Sequence, residues 1–347
     1  MKVAFLQHRR PVRRSGGEPA AGGATVFDTM AKKTRRAAAH TSGEADPSSD
    51  ENPRRPCPCG SGRRYKACHG AGDDVIVPRP FAGLAAECEL VAMREFLPSA
   101  TAPLPLSDGA GPAVTVATVL PGASAALVRP SGEILLGMQV QTRSGDLSAD
   151  LARALRWARD AEPGSALAVA PPAAGDGGPA RLQDVLDADA PLRPAVHDDF
   201  SWWLPDDGPP SAEAAAMLDR ANQVIMPTVA LVADGVRAAY WVDTGSKAHL
   251  RWVRPEPEER LLAALARLQA RGSLDLGDGS RYAGSFRAHG VLVPVWDLDR
   301  ERHAKEWAAP AAAFAQRLDE ALDDPAPPTD AERRARDALA GKQVTLR

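Results

Sequence analysis

The chain has 347 residues, with 42 Lys and Arg against 45 Asp and Glu and a formal net charge of −3. That length suits two domains of ordinary size, and the near-balance of charge argues against a protein that coats nucleic acid, so DNA is not an expected partner. Aromatic residues make up only 5% while Gly (29) and Pro (31) are plentiful, so much of the chain must be turn or linker.

The first residues carry no secretion signal: Val3-Ala4-Phe5-Leu6 is too short for an apolar signal core, and Arg9, Arg10, Arg13 and Arg14 follow it. No later stretch reaches membrane-span length without charge or proline. Met30 opens a lysine-rich segment that reads like a start of its own, and translation is expected to begin there. Residues 1–52 are polar and rich in Ala, Ser and Gly, and are expected to form a disordered tail.

Residues 53–70 hold three of the four cysteines, Cys57, Cys59 and Cys68, with His69 directly after the third. Two close pairs of N/S donors separated by a turn suit a tetrahedral Zn2+ with a structural role, since a filled ligand set leaves no position for substrate. Gly60 and Gly62 let the Cys-x-Cys pair bend toward one ion, and Pro56 and Pro58 stiffen the approach. So few cysteines, clustered at ligand spacing, fit a reducing compartment, and a cytoplasmic location is expected. Arg54, Arg55, Arg63, Arg64 and Lys66 surround the ligands. Either they offset the thiolate charge, or they face an acidic protein surface or ribosomal RNA phosphates.

Pro-Cys-Pro-Cys-Gly-Ser-Gly-Arg-Arg-Tyr-Lys, followed by Cys68-His69, resembles the SEC-C motif. That motif occurs at the C-terminus of the translocase motor SecA and in many unrelated bacterial proteins. The resemblance implies zinc at Cys57, Cys59, Cys68 and His69. It also implies an interaction module, because the SecA copy contacts the chaperone SecB and the ribosome. It covers residues 54–70 only, and nothing else in the chain suggests a motor ATPase. The whole chain is similar to an actinobacterial group that carries this motif ahead of a domain of unknown function.

The body opens with a helical pattern over 81–96, with Leu84, Cys88 and Val91 on one face and Glu87, Glu89 and Arg94 elsewhere on the cylinder. Cys88 reads as a small buried residue. Pro98 and Pro103 end that helix. Strand patterns follow at 114–120, 125–128 and 133–140. A helix begins near Ser148, taken as N-cap, with Leu151 and Leu155 inward. Another strand covers 165–170. A second series follows: helix 211–223, strands 228–232 and 237–242 around Asp234-Gly235, strand 249–253, helix 256–270, strands 281–287 and 291–298, and a helix from Pro310. The units fall at 78–200 and 201–325, with a C-terminal helix and tail at 326–347.

The two series align without a gap at a constant offset of 113 residues. Gly122 meets Gly235, Gly132 meets Gly245, Thr115 to Ala117 meet Thr228 to Ala230, and Leu155 meets Leu268. The expectation is a small zinc knuckle followed by two tandem α+β units, each a duplicated helix, three-stranded meander, helix and strand. That element order resembles type III secretion chaperones, which bind client segments.

Outside the knuckle, the carboxylate and histidine cluster is His197-Asp198-Asp199 with Trp202, Trp203, Asp206 and Asp207. Such groups could form a metal site or an acid–base pair, but an acidic, proline-edged link between units is commonplace, and the tryptophans read as packing anchors. His249, His289 and His303 read as ordinary surface or core histidines. Gly175-Asp176-Gly177-Gly178 lacks the Lys-Ser/Thr of a phosphate loop and reads as a flexible loop. The reading therefore leans toward a cytoplasmic zinc-binding adaptor for an acidic partner, chaperone, client or ribosome, with enzyme activity left open. The alternative is an enzyme whose site lies between the halves, with His197 and Asp199 as candidates.

Overall fold

Along the strand Val291–Leu298 the apolar side chains divide by parity: Val291 and Val293 enter one core, while Leu292, Trp296 and Leu298 enter another. Alternation of this kind is the signature of a strand buried on both faces. It makes the second sheet the middle layer of the body. The computed structural model describes residues 76–344 apart from 110, 142–143, 172–180, 205–209 and 343. The N-terminal tail and the expected zinc ligands lie outside the described residues.

Among the described residues, two sheets and six helices give the mixed α+β class the sequence led us to expect. The first sheet is built from β1 (Ala100–Pro103), β2 (Val114–Ala117), β3 (Ala126–Val128), β4 (Ile134–Gly137), β5 (Ala166–Leu167) and β6 (Ala195–Val196), in the order β5-β3-β4-β2-β1-β6. The second holds β7 (Thr228–Ala230), β8 (Ala239–Asp243), β9 (Ala248–Trp252), β10 (Ser280–Ala288) and β11 (Val291–Leu298), in the order β10-β11-β9-β8-β7. Helix α1 (Glu87–Glu95) shares one core with the first sheet, α2 (Leu147–Asp160) and the near face of the second sheet. After α3 (Ala212–Asn222), the helices α4 (Glu258–Ala270), α5 (Ala308–Asp323) and α6 (Asp330–Ala340) complete the set. The other core holds Trp252, Trp296, Trp307 and Phe314 between the far face of the second sheet and α4–α6. Beyond α6 the chain pairs with the edge of β10, where Ser285 N donates to Lys342 O (3.1 Å) and Val344 N to Ser285 O (3.0 Å).

The second half contains the expected meander, with β7–β8 and β8–β9 both antiparallel. The first half does not. There β4 lies between β3 and β2, and β2 pairs with it in parallel, Val114 opposite Ile134. The turn glycines do correspond: Gly122, Gly132, Gly235 and Gly245 all have positive φ, at 66°, 88°, 71° and 85°. Pairing does not. Ala126 faces Leu136, whereas its counterpart Ala239 faces Trp252 rather than His249, and an odd slip exchanges the side-chain faces. The cause is visible in burial. Ile134–Gly137 is buried at every position, which is the continuous apolar run of an interior strand in a parallel pair. β2 gives one edge to β1 and the other to β4, so β3 joins only through β4. The expected strand-for-strand equivalence therefore fails, and with it the meander on which the likeness to type III secretion chaperones rested.

Helix starts also moved. Asp146, not Ser148, caps α2, its side chain accepting from Ser148 N (3.0 Å). Ser148 is fully buried, donating to Gln183 Oε1 and accepting from Leu182 N. Helix α1 begins at Glu87 rather than 81, and Glu87 and Glu89, read as lying off the apolar face, are buried.

Candidate functional site

The link at His197 is a structural clasp. His197 Nε2 bonds Thr101 Oγ1 on β1 (2.8 Å), and its backbone N–H donates to Ser99 O (2.9 Å). Ser99 Oγ donates to Asp199 O and accepts from Trp202 Nε1 (2.8 Å). Trp203 Nε1 donates to Val119 O (2.9 Å), and its ring stacks on Phe200 at 4.4 Å. Asp199 accepts from Ser201 N (2.8 Å), and these bonds from Ser201 hold its carboxyl below the usual range. Arg129 donates to the Trp202 and Leu204 carbonyls. The tryptophans anchor the link to the first sheet, and His197 Nε2 and the Asp199 carbonyl help to hold it there. Asp206, Asp207 and Gly175–Gly178 lie outside the described residues.

Among the described residues, each of the other histidines has a polar neighbour. His289 Nε2 bonds Glu95 Oε1 (2.8 Å), and His303 Nδ1 accepts from Lys305 N (3.2 Å) at a helix start. His249 Nδ1 lies 3.1 Å from Asp297 Oδ1, and burial pushes its pKa down. Asp297 also receives Lys247 (2.8 Å) and Arg281 (3.0 Å). Burial, the largest influence, would raise its pKa, but these donors hold it below the usual range. The hollow beside them is broad, about 760 Å³, and Lys247 and Arg281 on its wall are both paired with Asp297.

A different cleft, about 450 Å³, lies between α1 and the β8–β9 side of the second sheet. Leu84, Val236 and Val253 supply apolar wall; Glu87, Cys88 and Glu89 come from α1, and Arg237 and Arg254 come from the other half. The charges meet as pairs. Arg79 bonds Glu87 in two places (2.7 and 2.6 Å) and Pro255 O (2.8 Å). Arg237 donates to Glu89 Oε1 (3.0 Å) and Ala85 O (3.1 Å). Arg254 bonds Glu256 Oε2 (3.0 Å) and lies 5.2 Å above the Trp252 ring. Burial raises the Glu89 pKa, against the pull of Arg237. The Cys88 thiol is pushed up to about 12, by burial first and then by Glu89, Glu87 and Glu256. Cys88 is the free cysteine of the described residues and is buried, as the sequence suggested; a thiol held this firmly protonated is a poor nucleophile. No group of three or more His, Cys, Asp or Glu able to hold a metal occurs among the described residues.

Comparison with protein-family models matches residues 80–347 to a family of unknown function, DUF5926. The chain belongs to the DUF5926 family. A SEC-C motif matches residues 56–71, directly ahead of it, so both parts of the expected arrangement are present. No curated protein matches the chain. No solved structure matches it either. No helix among the described residues of this DUF5926 protein is long and apolar enough to cross a membrane.

Sequence reading missed the cleft of the DUF5926 domain. Its parts are far apart in the chain, Glu89 on α1 and Arg237 just before β8. One signal was present: Glu87-Cys88-Glu89 runs straight into Leu90-Val91-Ala92-Met93. Such a run leaves no polar side to the helix, so its acids must be buried with partners.

Proposed function

We propose that this DUF5926 protein is a zinc-binding adaptor of the cytoplasm, serving protein biogenesis, translocation or quality control. The SEC-C match at residues 56–71 carries the reading, because every ligand position is filled, by Cys57, Cys59, Cys68 and His69. Three thiolates and an imidazole form a donor set that suits Zn2+ in a structural role. The bound ion would supply the folding energy that so short a segment cannot draw from a core of its own. The chain's own contribution is the basic ring Arg54, Arg55, Arg63, Arg64 and Lys66, which would meet an acidic protein surface or ribosomal RNA phosphates. The enzyme alternative draws no support from His197 and Asp199, which bond Thr101 and Ser201.

The test is a metal assay on the purified full chain and on Cys59→Ala, joined to an affinity capture from native cytosol with and without zinc. One zinc per chain, lost in the variant together with a specific partner, is the expected result. Undiminished stoichiometric zinc in Cys59→Ala would overturn the ligand assignment, and a partner set indifferent to zinc would overturn the adaptor role.

A further inference from the structure

Five charged side chains are buried among the described residues: Glu87, Glu89, Asp150, Arg251 and Arg254. Four of them are paired, Glu87 with Arg79, Glu89 with Arg237, Asp150 with Arg153 and Arg254 with Glu256. Arg251 is the exception. It is only 4% exposed, and among the described residues no hydrogen bond or ion pair holds its guanidinium, which lies 5.6 Å from the Phe96 ring. Its cross-strand neighbours, Tyr240 on β8 and Val295 on β11, bring no counter-charge. Burial pushes its pKa down to about 10, which leaves it charged at neutral pH. An uncompensated buried cation is costly, and nearly every buried polar group in a native fold has a partner.

The guanidinium can be reached. None of its nitrogens is among the sealed, unpartnered atoms of the body, so an oxygen of water size can touch them. Exposure rises along one face of β9, from Arg251 through His249, whose side chain is 21% exposed, to Lys247 at 53%. The way in therefore runs past His249. Burial lowers the His249 pKa, Asp297 opposes that, and Arg251 adds to it, so the ring lies within the field of the guanidinium.

The charge of the missing partner follows from which cations are taken. Lys247 and Arg281 are both bound to Asp297, which leaves one buried cation to be met by one negative charge. A guanidinium fork meets a carboxylate through two parallel hydrogen bonds. A phosphate dianion would carry a second charge into a recess that has no second free cation, and its desolvation would go uncompensated.

We propose that Arg251 anchors a binding site for a small organic carboxylate, whose carboxyl group sits in the guanidinium fork beside Phe96 and whose body runs out past His249. The site belongs to the DUF5926 domain and does not depend on the zinc reading.

Butyrate, butylamine and inorganic phosphate serve as probes: the first two share a scaffold with opposite charges, and the third is a multiply charged oxyanion. Binding to the zinc-loaded full chain is followed by ligand-observed NMR and by the ring signals of His249, assigned through His249→Gln. Butyrate should bind and move those signals, butylamine should do neither, and phosphate should bind more weakly. Arg251→Met keeps an apolar stem and removes the fork, and should weaken butyrate about tenfold or more, as expected for loss of a charged hydrogen bond. Arg251→Lys keeps the charge without the fork and should fall between the two, so the test does not rest on one variant folding. The assignment is overturned if butyrate fails to bind, binds either variant as well as the native chain, binds without moving His249, or is matched by butylamine or phosphate.

Discussion

Phe96 closes the end of α1 where the two sheets share a core, and Phe96→Ala measures how strongly they are joined. The ring is 6% exposed. Its aromatic neighbours both belong to the second sheet: Tyr240 of β8 at 5.7 Å and Phe286 of β10 at 6.3 Å, each edge-on. The Arg251 guanidinium of β9 lies 5.6 Å from its centroid, and burial pushes that group's pKa down to about 10. Truncating a buried Phe costs about 3–5 kcal/mol in lost transfer energy and cavity. Each edge-on pair adds about 0.5–1.5 kcal/mol beyond area, and Arg251 loses the surface it packs on. The expectation is therefore the upper part of the range, about 4 kcal/mol. At about 2–4 °C per kcal/mol for a body of this size, the melting temperature should fall by about 8–16 °C. Calorimetry should show one transition, with tryptophan fluorescence, whose seven reporters are spread over both halves of the body, moving along with far-UV circular dichroism. A loss below about 1 kcal/mol, or a calorimetric trace that splits into two transitions, would refute the shared core.

Four further outcomes are expected. In Gly137→Ala a methyl would meet the Ser124 carbonyl and the Val140 side chain, costing about 1–3 kcal/mol by overpacking; an unchanged urea midpoint would contradict the placement of β4. Chelating the zinc should release the metal and leave the melting transition of residues 80–347 in place, and a collapse of that transition would show the two parts to be interdependent. Burial raises the Glu89 pKa above 4.5, so its contribution to stability is full below that pH and is lost as pH rises; Glu89→Gln should compare more favourably with the native chain at pH 7 than at pH 4, and the reverse trend in urea unfolding would disprove the burial. Glu95 has the opposite sign: its bond to His289 lowers its pKa below 4.5, so its contribution is present above that pH and is lost on acidification, and Glu95→Gln should destabilise more at pH 7 than in acid; equal losses in urea unfolding at both pH values would disprove the pairing.

What the sequence disclosed was local. Period and turn chemistry located most elements, and all four glycines of the offset pattern adopt the backbone they were chosen for. The helical pattern read from residue 211 matches α3, with Ser211 as its cap, accepting from Ala214 N. Strand order was not legible, because it depends on which edges are free. β1 and β6 went unseen; they are four and two residues long, and β6 pairs only with a strand far back in the chain. The cleft was illegible for a related reason. Two glutamates on a helix look like a solvated face until the neighbour that supplies Arg237 is known. The SEC-C motif at residues 56–71 sits at the other extreme, since a pattern within one short stretch needs no tertiary information.

The first sheet begins and ends on neighbouring strands: β1 opens it, β6 closes it, and Thr101 lies opposite Ala195. That adjacency turns the intervening chain into a lasso whose neck is one antiparallel pair. Opposed residues in such a pair have Cα atoms about 4.5–5.5 Å apart, within reach of a disulfide. Cysteines at Thr101 and Ala195 would therefore draw the noose shut around roughly a hundred residues, which loop-entropy arguments value at about 4.7 kcal/mol. A reducing agent would then act as a switch, withdrawing that stabilisation from the single cooperative body that the shared core makes of the two sheets.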